Sequence, residues 1–177
     1  MKTTGKITLS ATMAALATVI MLVSYFPYLT YAVPAVAGLF IMISVMEINC
    51  KWALLSYISA SFFVFLFAEP ESKLMFIGFF GFYPILKCLI ERINKPVLEW
   101  IIKILLFNVC ILLIYKVFAK IFMIPEDNLN EFFKYGEIVL LIFANAVFVV
   151  FDIALSRMAN FYFAKFHFRV SRIFKGN

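Results

Sequence analysis

Asn108, Tyr115, Lys116, Lys120 and Asn145 are polar residues set within long apolar stretches, and Tyr25, Tyr28, Thr30 and Tyr31 border a short break between two more. Amides, an ammonium and aromatic hydroxyls inside apolar walls are what a small-molecule pocket needs, with Lys116 suited to an anionic group. Ser59 and Ser61 approach the same side of the chain. Tyr28, Tyr31, Asn108, Lys116 and Asn145 are therefore the candidate substrate-binding residues. The competing readings are an interfacial tyrosine belt, snorkelling lysines and amide hydrogen bonds between helices. Little else points to chemistry. There is no HExxH, no GxSxG, no Gly-rich phosphate loop and no cluster of aspartates, so no catalytic residue and no enzymatic activity are expected. Cys50, Cys88 and Cys110 lie far apart, without a CxxC pair, and His167 is the one histidine. Reduced thiols, no metal and no cofactor follow.

The remaining ionisable residues have local accounts. Glu47 and Lys51, Lys87 and Glu91, and Glu99 and Lys103 are each four apart, which reads as pairs along helix faces. Asp152 has Arg157 or Lys87 as its candidate partner. No chain of carboxylates crosses the middle of the apolar runs, so a proton-driven carrier is not suggested.

The elements that must position these residues are membrane helices. Of 177 residues, 65% are apolar and 15% charged, against about 45–50% and roughly 25% in soluble domains. Mean hydropathy is +1.01. Charge clusters and prolines cut the chain into six apolar runs, 7–25, 31–48, 52–67, 74–90, 97–122 and 138–156, with a tail over 157–177. The fold class is all-α, a single integral membrane domain of six helices with a C-terminal interfacial helix. Lys165, Arg169 and Arg172 share one face of that last helix among aromatic residues, as expected at a lipid surface. The longest connection, 124–137, is polar and reads as a loop.

Crossing six times from a cytoplasmic N-terminus puts 12 Lys and Arg with 4 acids on the inner side, and 4 Lys and Arg with 6 acids outside. The bias in Lys and Arg sets orientation, so both termini are expected in the cytoplasm. The same bias accounts for the formal net charge of +6 without a nucleic-acid partner. In the fourth run Pro84 cannot donate to the carbonyl of Phe80, which predicts a kink near Gly81.

Helix one carries Leu9-Ser-Ala-Thr-Met-Ala-Ala-Leu-Ala17, in which Ala11 and Ala15, and likewise Ser10 and Ala14, are four apart. Small residues at that spacing let helix backbones approach closely in lipid. This segment resembles the first helix, with its AxxxA motif, of the substrate-binding (S) components of energy-coupling factor (ECF) transporters, and the six-helix basic architecture is similar to theirs. The resemblance implies a subunit that captures a micronutrient such as a vitamin from outside the cell membrane. A T component and two ATPases would energise it, docking at Ala11, Ala14 and Ala15. The chain departs from relatives with a glycine-rich second cytoplasmic turn, having Asn49-Cys-Lys-Trp52. No signature for riboflavin, thiamine, biotin or folate is present. The alternatives are a structural envelope protein resembling the MreD family and a membrane-embedded lipid enzyme.

Overall fold

The computed structural model describes residues 3–26, 28–121 and 126–165, with side chains from 115 to 140 outside that description. The chain is an all-α membrane bundle. Its helices are α1 (Thr3–Leu22, continued by a 3-10 turn over Val23–Tyr25), α2 (Ala32–Glu47), α3 (Cys50–Phe67), α4 (Pro70–Met75), α5 (Tyr83–Ile90), α6 (Pro96–Ile121) and α7 (Glu126–Lys165). Among the described residues, five helical segments are long and apolar enough to cross a bilayer: Thr3–Tyr25, Cys50–Phe67, Pro70–Ile93, Pro96–Ile114 and Leu141–Lys165. The 16-residue α2 is a shorter apolar sixth. Phe62, Phe65, Leu105, Ile142 and Phe143 are all exposed, an outer surface that only a lipid solvent tolerates.

Two cores of different character share α2. Around α1, α2 and α3 the packing is of small side chains, with Ala14, Ala17, Ala37, Ala53 and Ala60 buried together with Ile41 and Val64. Small residues bring these backbones close, which supplies the contact energy that lipid does not. Around α5, α6 and α7 the filling is aromatic: Phe79, Tyr83, Phe107 and Phe148. Phe107 and Phe148 stack at 4.4 Å, and Phe79 stacks on Tyr83 at 4.8 Å.

The kink expected near Gly81 is present and takes the form of a π turn over Phe76–Phe80 between α4 and α5. Gly81 donates to the carbonyl of Phe76 at 2.8 Å, five residues back. That register leaves the Ile77 carbonyl without its usual amide, and the Tyr57 hydroxyl of α3 donates to it at 2.7 Å. Pro84 likewise frees the Phe80 carbonyl. Gly38 of α2 lies against that oxygen; a Cβ there would sit 2.5 Å away. Membrane helices hold such breaks when neighbours fill the gap, as α2 and α3 do here.

Two boundaries differ from the expectation. The connection read as a loop over 124–137 is largely helical, because α7 begins at Glu126. Acidic Glu126 and Asp127 suit the positive end of a helix dipole, which local polarity alone obscured. The tail expected as a separate helix from 157 instead continues α7 without a break to Lys165. No Gly or Pro interrupts that stretch, and Tyr162 donates to Glu47 of α2 at 2.9 Å, holding it on the bundle. Residues 166–177, with Arg169 and Arg172, lie outside the described residues.

Candidate functional site

The helices alternate in direction, and the bonds between them define two ends of the bundle. At one end Cys50 of α3 meets Cys88 of α5 at 3.4 Å, Glu47 meets Tyr162, and Ser56 donates to the Ser10 carbonyl at 3.1 Å. At the other, Tyr25 donates to the Phe67 carbonyl at 2.9 Å and Ser72 to the Thr30 carbonyl at 2.8 Å. Lys6, Lys51, Lys87, Arg92, Lys95, Lys103, Arg157 and Lys165 all fall in the first half, and Lys73, with Lys116, Lys120 and Lys134 by their places along α6 and α7, in the second.

The most concentrated chemistry lies in the first half, where α5, α6 and α7 converge. Asp152 is 3% exposed, yet its carboxylate accepts from three donors. Tyr83 Oη donates to Oδ1 at 2.5 Å, Lys87 Nζ lies 2.5 Å from the same oxygen, and Lys103 Nζ is 3.2 Å from Oδ2. Glu91 bridges the two ammonium groups, with Oε1 at 2.8 Å from each. Lys87 also reaches the Asp152 backbone carbonyl at 3.3 Å. Two cations and two anions balance, and each charge has hydrogen-bonding partners. Such a cluster inside a membrane is neutral overall, ties three helices at one point and leaves no lone charge in hydrocarbon.

Of the partners read from sequence, Lys87 with Glu91 and Lys87 with Asp152 are present. Lys103 is the departure. It turns from Glu99 on its own helix to Glu91 and Asp152 on two others, while Glu99 accepts from the Lys95 amide at 3.1 Å. Four-residue spacing identifies pairs a helix permits; it carries no information about carboxylates that the fold brings from elsewhere. Tyr83 gave no signal of its own, being one of many aromatics in its run.

Further toward the other end, Asn108 of α6 and Asn145 of α7 come together. Each amide nitrogen donates to the other's oxygen at 3.0 Å and to its own helix, Asn108 to Ile104 and Asn145 to Leu141, both at 2.8 Å. All four N–H groups are spent, so a ligand that accepts a hydrogen bond from either amide has to open this pair. Tyr28 and Tyr31 are not drawn to it. Tyr28 is 97% exposed, with a left-handed backbone (φ 71°) that side chains rarely adopt. Tyr31 donates to Glu71 Oε2 at 3.2 Å. The negative charge of Glu71, and then this hydrogen bond, push the Tyr31 hydroxyl above its ordinary pKa. The Lys116 side chain lies outside the described residues.

On α1 the small residues divide between two faces. Ser10, Ala14 and Ala17 are buried against the bundle, whereas Ala11 and Ala15 are exposed. Ala14 thus serves the protein's own core. Thr8 and Thr12 extend the exposed face and fold their hydroxyls back onto the carbonyls of Thr4 and Thr8, at 3.0 and 2.8 Å. No family model, curated protein or solved structure matches the chain.

Proposed function

We propose that this multi-pass membrane protein is the substrate-capture subunit of an ATP-driven importer of the ECF type. In this reading it resides in the cell membrane with both termini in the cytoplasm and takes up a micronutrient from outside. The observation that carries the reading is the lane of Ala11 and Ala15, left uncovered on α1 while its neighbours Ser10, Ala14 and Ala17 pack inward. A lane without bulky side chains allows a second membrane helix to approach its backbone. It lies on the half of the bundle rich in Lys and Arg, where the positive-inside rule puts the cytoplasm and hence the ATPases. The residues bordering the opposite end, Tyr28 and Tyr31 with Lys116, are then the outward-facing candidates for substrate. Asn108 and Asn145 hold the floor between α6 and α7.

The test is affinity purification of the tagged chain from mild detergent, with identification of the proteins and small molecules that accompany it. A T component, two ATPases and a stoichiometric metabolite are expected. Ala11→Leu with Ala15→Leu should remove the proteins and leave the metabolite. Recovery of envelope-synthesis proteins without a small molecule, or full assembly by the double variant, would overturn the reading.

A further inference from the structure

We propose that the cavity between the ends of α2, α5 and α7 is a binding site for an anionic phospholipid of the Lys- and Arg-rich leaflet. The inference stands apart from the transport reading. The cavity measures about 370 Å³. Its apolar walls are Met42 and Met46, one turn apart on α2, with Ala159 and Phe163, one turn apart on α7. Pro84 lines its inner part, and Arg92 lies two turns further along the α5 segment. An acyl chain fits walls of this kind, since methionine side chains adapt their shape to an irregular apolar guest.

Charge selects the headgroup. Arg92 belongs to the turn Glu91–Ile93 that closes the Pro70–Ile93 span, which places it at headgroup depth. The four carboxylates of this half of the bundle have other partners: Glu47 accepts from Tyr162, Glu99 takes the Lys95 amide, Asp152 is held by the cluster, and Glu91, which lines the cavity together with Lys87, lies between Lys87 and Lys103. Arg92 reaches the Cys50 thiol at 3.9 Å and also interacts with the Cys88 thiol, neither of which neutralises it. Because the cluster behind it is balanced, Arg92 is the uncompensated cation at the cavity's rim. A guanidinium binds phosphate through paired N–H donors, and basic pockets between helices on the cytoplasmic side hold anionic headgroups.

Competition between phosphatidylglycerol and phosphatidylcholine of matched chains, read by native mass spectrometry of the detergent-purified protein, tests the assignment. The wild type should retain phosphatidylglycerol about fivefold over phosphatidylcholine. Arg92→Gln should bring the two near parity, whereas Arg157→Gln, an exposed cation of the same half that does not line the cavity, should keep the preference. Ala159→Leu, which fills the cavity and leaves Arg92 intact, should cut retention of both lipids severalfold. Equal retention by the wild type would overturn the proposal. So would a preference that survives Arg92→Gln, one that Arg157→Gln abolishes as strongly, or retention unaffected by Ala159→Leu. Displacement of the lipid by millimolar inorganic phosphate would assign the site to a free anion instead.

Discussion

Asp152 accepts from Tyr83, Lys87 and Lys103, three donors from two other helices, so its loss cannot be absorbed by one neighbour. Asp152→Asn leaves two ammonium groups facing the single charge of Glu91. Removing one partner of a buried pair costs about 3–5 kcal/mol, because what remains is an uncompensated charge. We expect Asp152→Asn to lower the thermal midpoint of the detergent-solubilised protein substantially. Adding Lys87→Met should restore part of the loss by rebalancing the cluster, a coupling that a double-mutant cycle measures. A single variant as stable as the wild type would mean that Asp152 is not an ionised member of a buried network. The same residue marks what the sequence could convey. Arg157 stood within reach on the same helix and Lys87, 65 positions away, was the other candidate, whereas Lys103, read as the partner of Glu99, joins Asp152 only once α6 and α7 are packed. The asparagine pair divides similarly. Two amides within apolar runs were legible as interhelical bonds or as ligand contacts, and which one holds depends on the register between the helices.

At the scale of elements, the break at Pro84 is maintained by neighbours rather than by its own helix. Pro84 frees one carbonyl, and the π turn ahead of it frees another. Gly38 closes over the first and Tyr57 bonds to the second. The break was readable because proline's missing N–H is a local fact. Its supports were not, since nothing about Gly38 or Tyr57 names a partner 42 or 20 residues away. A Cβ at position 38 has to displace backbone, which cannot swing aside as a side chain would. Gly38→Ala should therefore cost about 1–3 kcal/mol, as overpacking of a tight contact does. Val36→Ala, on an exposed face of the same helix, should stay within about 0.5 kcal/mol. Chemical or thermal unfolding of both variants in one detergent checks the contrast; equal stabilities would show that α2 is free to move away from the turn. The helix limits of α7 failed for the reason opposite to Pro84. Polar residues over 126–137 resemble a loop by composition, yet a helix that extends past the apolar layer needs no apolar face there.

For the whole molecule, the governing asymmetry is of charge between the two ends. The alternating helices gather Lys6, Lys51, Lys87, Arg92, Lys95, Lys103, Arg157 and Lys165 in one half, against Lys73, Lys116, Lys120 and Lys134 in the other. Insertion follows that bias, so the Tyr28 end should face outward and the turn at Asn94 inward. Both positions suit a direct test. Tyr28 is 97% exposed, and Asn94 is exposed in a left-handed conformation (φ 54°) just beyond the Pro70–Ile93 span. On a background lacking Cys50, Cys88 and Cys110, Tyr28→Cys should react with a membrane-impermeant maleimide in intact cells. Asn94→Cys should react only after permeabilisation. The reversed pattern would put the basic half outside, against the insertion rule. It would also turn the exposed Ala11–Ala15 lane away from any cytoplasmic ATPase and remove the basis for an imported substrate. The lipid site makes a separate demand on the same experiment. A cavity at the Arg92 end draws on the leaflet that Asn94 faces, so the labelling pattern identifies the leaflet whose anionic lipids can fill it.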